Sequence, residues 1–211
     1  MTIEDAVELI RPAISTHGGT WADLGAGAGV FTLALAHVIG PSGRIIAIDR
    51  DHGAVANLHS LALARPAESV RRNESVRAES ELSEPVGAAS RPKRSIAEIE
   101  AIYGDFQELD SISELVGVRL AGANFANALH YTPTPAAVLA NVAGLLQEDA
   151  QIIVVEYDRA SANRWVPYPI TPSRLGMIAS QAGLNSTRLV GRRRSAFGGT
   201  MYCAVLSSIR D

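Results

Sequence analysis

Trp21-Ala22-Asp23-Leu24-Gly25-Ala26-Gly27-Ala28-Gly29-Val30-Phe31 is a short apolar strand that ends in an acid, runs through three alternating glycines and enters a helix. Glycine lacks a Cβ and takes positive φ readily, so glycines at 25, 27 and 29 let the chain bend sharply and lay bare backbone against a ligand. The apolar residues from Val30 to Ile39 continue as a helix whose first amides point back at the same place.

Working outward, Thr2 and Asp5 have the spacing of a capping box, and Ile3, Ala6, Val7, Leu9 and Ile10 fit an amphipathic first helix that Gly18-Gly19 closes off. Downstream, Gly40-Pro41-Ser42-Gly43 is a turn, and Arg44-Ile45-Ile46-Ala47-Ile48-Asp49 is a second apolar strand ending in an acid. A helix follows from Asp51 to about Ala64, with Val55, Leu58, Leu61 and Leu63 on or near one face. Residues 65–95 hold about a dozen charges, three prolines and few apolar side chains, too little apolar surface to offset the entropy of ordering. They read as a long flexible insertion, either a lid or partner-binding segment or a tolerated surface loop.

Strand character resumes from Ile96 to Tyr103, and Ser111 to Val116 reads as a short helix. Leu120 to Leu129 reads as a fourth strand and Pro135 to Leu146 as a helix. Gln151-Ile152-Ile153-Val154-Val155-Glu156-Tyr157-Asp158 is β-branched and continuous, as a buried, central parallel strand should be. Thr171 caps a helix to about Ala182, and strands from Ser186 to Ser195 and Thr200 to Ser208 meet at Gly198-Gly199 as a hairpin. The alternation predicts a doubly wound, mostly parallel α/β sheet in three layers, α/β/α, with an antiparallel C-terminal hairpin.

At 211 residues and 47% hydrophobic, residues 1–211 are expected to form one domain around one core. A net charge of -3 and a pI near 6.0 argue against nucleic acid or an anionic membrane as partner and favour a small or weakly charged one. The lone Cys203 excludes an internal disulfide and a thiolate metal cluster, and its apolar surroundings predict a buried, inert thiol; no metal site is expected. The N-terminus lacks the basic-then-apolar order of a secretory signal and no stretch is apolar enough to span a bilayer, so the expected location is the cytoplasm. No sequence pattern specifies an oligomer.

In an open α/β sheet the ligand lies beyond the carboxyl ends of the strands. The residues there are Asp23 with Gly25, Gly27 and Gly29, then Asp49, then Asp105 with Phe106, then Asn127 and His130. Two acids and an aromatic ring beside a glycine turn suit an adenosine. The turn is not a dinucleotide fingerprint, because Val30 stands where that motif needs its third glycine. Asp23 would repel a pyrophosphate and suits a ligand carrying an ammonium group.

On these residues the chain resembles the class I S-adenosylmethionine-dependent methyltransferases. Asp23-Leu24-Gly25-Ala26-Gly27-Ala28-Gly29 looks like that family's first motif, Asp49 like the acid of its second, Gly104-Asp105-Phe106 like its third and Asn127-Ala128-Leu129-His130 like the loop after its fourth strand. The resemblance implies a seven-stranded sheet and S-adenosylmethionine as cofactor. It also implies roles: the glycine turn and Asp23 around the methionine moiety, Asp49 on the ribose, Arg50 flanking the adenine, Asp105 near the adenine amino group and Phe106 beside the ring. The insertion at 65–95 departs from the family pattern.

A sulfonium methyl is already activated, so the protein must chiefly align the nucleophile and keep water out. His130 and Tyr131, with Glu156, Tyr157 and Asp158, are the nearest groups that could orient or deprotonate an acceptor; His130 and Tyr157 are the catalytic candidates, against ordinary loop and packing roles. Trp165-Val166-Pro167-Tyr168-Pro169 could wall an acceptor site or staple the sheet edge. Arg192-Arg193-Arg194 could grip an anion or form a solvated face. The loop after the fourth strand lacks the Asn/Asp-Pro-Pro-aromatic sequence of amino-directed methylation. The leading expectation is methyl transfer to a small molecule; the alternatives are a cofactor-binding regulatory module without turnover and a nicotinamide-dependent oxidoreductase.

Overall fold

The computed structural model describes residues 1–63, 95–195 and 198–208. The expected insertion at 65–95 lies outside the described residues but for Ser95. Seven strands form one sheet: β1 (Gly19–Leu24), β2 (Gly43–Asp49), β3 (Glu98–Tyr103), β4 (Leu120–Ala126), β5 (Leu146–Tyr157), β6 (Ser186–Arg194) and β7 (Thr200–Ser207). Their order is β3-β2-β1-β4-β5-β7-β6, parallel from β3 through β5, with β7 antiparallel to both β5 and β6. The doubly wound sheet with a C-terminal hairpin is as the sequence predicts. β5 lies inside the sheet, one place from the central β4.

The strands' two-residue alternation feeds two cores. Trp21, Ile45, Ala47, Ile153, Val155 and Cys203 pack with α1 (Ile3–Ile10), α2 (Val30–Ile39) and α3 (His52–Leu63). Their neighbours Ala22, Ile46, Ile48, Ile152 and Val154 pack on the other face with α4 (Pro135–Leu145) and α5 (Pro172–Gln181), giving the three layers. The Thr2–Asp5 capping box is formed in both directions. Burial pushes the Cys203 thiol up to about 12, which keeps it protonated and inert.

Three departures from expectation have a tertiary reason. β5 starts at Leu146, because buried Leu146 pairs with Leu120 before the polar Gln147-Glu148-Asp149 bulge outward, Asp149 at φ 61. The expected helix at Ser111–Val116 is instead a pair of 3₁₀ turns, Leu109–Ser111 and Ser113–Leu115, which bury Leu109, Ile112 and Leu115 at a spacing of three. β4 stops at Ala126 because Asn127 turns into the left-handed region, φ 55, and donates its N–H to Val155 O at 2.8 Å.

The core leaves no slack where β1 meets β4. Trp21 is wholly buried, donates Nε1–H to Gly18 O at 3.2 Å, and lies so close to Gly122 that an added Cβ would sit 2.3 Å from its ring. Gly122→Ala is therefore expected to destabilise the fold by about 1–3 kcal/mol through overpacking, read as a lower urea midpoint at unchanged slope.

Candidate functional site

The winding of the sheet reverses between β1 and β4, and the loops leaving those two strands part there to form a crevice. Gly25, Gly27 and Gly29 all have positive φ, so the turn needs glycine on backbone grounds alone. Two also lack room: a Cβ on Gly25 would lie 2.5 Å from Ala128 Cβ, and one on Gly29 2.8 Å from Leu58. Gly27 faces open space. The crevice is a cavity of ≈ 570 Å³ lined by Asp23, the turn, Asp49, Arg50, Asp105, Phe106 and Asn127, among others.

Asp23 is buried beneath the turn, accepting from Thr32 Oγ1 at 2.6 Å and from Asn124 Nδ2 at 2.8 Å. Burial raises its pKa, those two hydrogen bonds oppose the rise, and the charge of Asp49 adds to it. Asp49 Oδ2 accepts from Gly27 N–H at 2.7 Å and its Oδ1 from Asp51 N–H at 2.9 Å, so the acid after β2 braces the turn leaving β1. A carboxylate has about four acceptor positions, so two remain for hydroxyl donors.

Across the crevice, Asp105 Oδ1 accepts from Gln107 N–H at 2.9 Å and its Oδ2 lies 3.5 Å from the exposed Arg50 guanidinium. The Phe106 ring packs edge-on against Phe125 at 5.5 Å between centroids, and comes within 3.3 Å of where a Gly25 Cβ would be. Asn127 stands at the crevice wall with its Oδ1 buried and, among the described residues, without a hydrogen-bond partner.

A second cavity of ≈ 810 Å³ lies beside the first and shares Asn127, Tyr131 and Tyr157 with it. Trp165, Asp158, Arg159 and Gly198-Gly199 are among its other walls. Burial, its largest influence, raises the Tyr157 phenol, while a hydrogen bond with Ser195 pulls it back and Glu156 and Tyr131 raise it further. His130 is buried, with Nδ1 2.6 Å from Glu156 Oε2 and Nε2 3.1 Å from the Trp165 carbonyl oxygen.

All the cofactor-binding candidates therefore meet at one crevice, except that Gly29 sits behind it against α3. Tyr157 and His130 both line the second cavity, while only Tyr157 also reaches the first. The arginines Arg192 and Arg193 are both taken by acids: Arg192 pairs at 2.5 Å with Asp158, a wall of the second cavity, and Arg193 pairs with Asp5 and Glu8, pinning the hairpin to α1. Sequence reasoning missed Thr32, Asn124 and Met1, the last a wall of the first cavity. A polar Asn124 inside the apolar run of β4 was the available signal.

No protein-family model and no curated protein matches the chain. Solved structures match its fold. An arsenic(III) S-adenosylmethionine methyltransferase from Chlamydomonas reinhardtii is 15% identical at a TM-score of 0.61, over 96% of this chain and 68% of that one. A SAM-dependent methyltransferase from Aquifex aeolicus is 14% identical at a TM-score of 0.60, over 96% and 87%. CalO1, a methyltransferase in calicheamicin biosynthesis solved with S-adenosylhomocysteine bound, is 18% identical at 0.59, over 98% and 54%. At these identities the likeness is one of fold. This chain has the class I S-adenosylmethionine-dependent methyltransferase fold.

A carboxyl whose folded pKa lies above its unfolded one binds its proton more tightly when folded, so it favours the fold at low pH and that contribution is lost as pH rises through the folded value. Asp23→Asn removes this dependence. Above about pH 4, where the carboxyl of the unfolded chain ionises, the urea midpoint of the variant is expected to gain on that of the unsubstituted protein as pH rises, in the absence of ligand.

Proposed function

We propose that the chain binds S-adenosylmethionine in the crevice between β1 and β4 and transfers its methyl group to a small-molecule acceptor in the adjoining cavity. The observation that supports this reading best is that the two cavities meet at Asn127, Tyr131 and Tyr157, where a methyl donor on one side would face a nucleophile on the other. The residues suit the cofactor. Asp23 and the bare backbone of the glycine turn favour a cationic methionine moiety, Asp49 keeps acceptor positions for ribose hydroxyls, and Asp105, Arg50 and Phe106 frame an adenine.

When bound, the cofactor supplies a sulfonium methyl open to in-line attack. The protein's part is alignment and exclusion of water. Tyr157, a neutral phenol, donates a hydrogen bond that orients the acceptor, and Asn127 and Tyr131 close the junction around the reacting atoms. The net charge of -3 and a second cavity within the size range of small-ligand sites favour a small acceptor over a nucleic acid. Among the described residues no helix is long and apolar enough to cross a membrane. We place the protein in the cytoplasm, as a single domain.

Titration calorimetry tests the cofactor assignment: S-adenosylhomocysteine should bind, and Asp49→Ala should weaken it about tenfold or more, the effect of losing charge-assisted hydrogen bonds worth about 1.5–3 kcal/mol. Absence of binding by the unsubstituted protein would overturn the reading. Transfer of labelled methyl from S-adenosylmethionine into a small-molecule extract identifies acceptors. With such an acceptor, Tyr157→Phe should lower kcat/KM about tenfold through one lost hydrogen bond while leaving S-adenosylhomocysteine affinity within about twofold.

A further inference from the structure

Buried His130 lines the second cavity and is paired with Glu156, buried behind it. Glu156 Oε1 accepts the main-chain N–H of His130 at 3.1 Å, and Oε2 takes Nδ1 at 2.6 Å. The Trp165 carbonyl meets Nε2 at 3.1 Å, and Tyr168 N–H donates to His130 O at 3.1 Å. A carbonyl oxygen can only accept, so Nε2 bears a hydrogen, and Nδ1 is taken up by the Glu156 carboxyl. Both ring nitrogens are thus engaged by the protein rather than turned to an acceptor. The segment so tied is local in its own right: Asn163 Oδ1 accepts from the N–H groups of Trp165 and Val166 at 2.9 and 2.7 Å. His130 ties this segment to the turn after β4 at two points, Trp165 and Tyr168.

We infer that His130 is a positioning residue of the acceptor site: with Glu156 it holds the backbone at Trp165 and so sets the aromatic wall of the second cavity, and it does not take the acceptor's proton. This rests on the reading of that cavity as the acceptor site. Tyr131 and Tyr157 stand beside the ring, at 4.4 and 6.1 Å between centroids, and complete the same wall.

The test compares His130→Ala with His130→Gln, whose side-chain amide N–H can replace Nε2–H but cannot act as a base. Hydrogen exchange on the full chain, read by mass spectrometry, should be about tenfold faster over residues 159–169 in the alanine variant, and glutamine should return it to within about threefold of the unsubstituted protein. S-adenosylhomocysteine affinity should stay within about twofold in both variants. Transfer of labelled methyl to a panel of phenols and catechols gives the second readout: a positioning role raises KM more than it lowers kcat in the alanine variant, and glutamine recovers most of the loss. Equal exchange in alanine and unsubstituted protein overturns the inference, as does an equal collapse of kcat in both variants, the mark of a lost base. If His130→Ala does not fold, the double variant His130→Leu, Glu156→Leu removes both polar partners together and is read by the same exchange measurement. Failure of the unsubstituted protein to bind S-adenosylhomocysteine would instead sink the cofactor assignment and leave the exchange result standing.

Discussion

A carboxylate held out of water is the constraint on which the rest of this fold depends. Asp23 ends β1 inside the protein, and such a group is tolerable only with donors around it. Thr32, in the first turn of α2, supplies one, and Asn124, beside Asp23 across the β1–β4 pairing, supplies the other. Those two bonds join the strand before the glycine turn, the helix after it and the strand on the far side of the switch point. Asp49 completes the clamp from β2 by taking Gly27 N–H. The turn is thus held on three sides, leaving its remaining face as the wall of a crevice.

The same economy shapes the second cavity. Asn127 takes a left-handed backbone conformation that asparagine tolerates better than most residues, and this ends β4 and swings the chain into the short turn carrying His130 and Tyr131. Glu156, at the end of β5, then captures both the backbone and the ring of His130. A buried histidine with both ring nitrogens and its backbone engaged is well suited to holding a loop. Under the proposed function, the chemistry needs alignment more than it needs a base, so a rigid wall is of more use there than a second titrating group.

Much of this architecture was legible in the residues. The helix from Val30 to Ile39, the acids closing β1 and β2, and the hairpin around Gly198-Gly199 follow from apolar period and turn chemistry, which act over a few residues. The early start of β5 was not legible, because Leu146 is recruited by Leu120, a partner on another strand. Nor was the pair of 3₁₀ turns after β3, where a spacing of three among Leu109, Ile112 and Leu115 matches the core better than a full helical turn. At the site, position was legible and partnership was not. Collecting the residues at strand ends finds Asp49, Asp105, Phe106 and Asn127, because every parallel strand delivers its last residues to the same edge. It cannot find Thr32, or tell that Arg192 is taken by Asp158.

The sequence by itself determined the order of strands and helices, the glycine turn and the edge of the sheet where a ligand must lie, since these rest on short-range periodicity and on the conformations that glycine alone takes easily. Only the tertiary structure decided what the polar side chains at the site are bonded to. His130 shows why: in sequence it is a histidine after a strand, free to act as a base. In the fold, a carboxylate from β5 and a carbonyl from the loop after it occupy both ring nitrogens, and those partners are brought in by sheet pairing rather than by neighbouring residues.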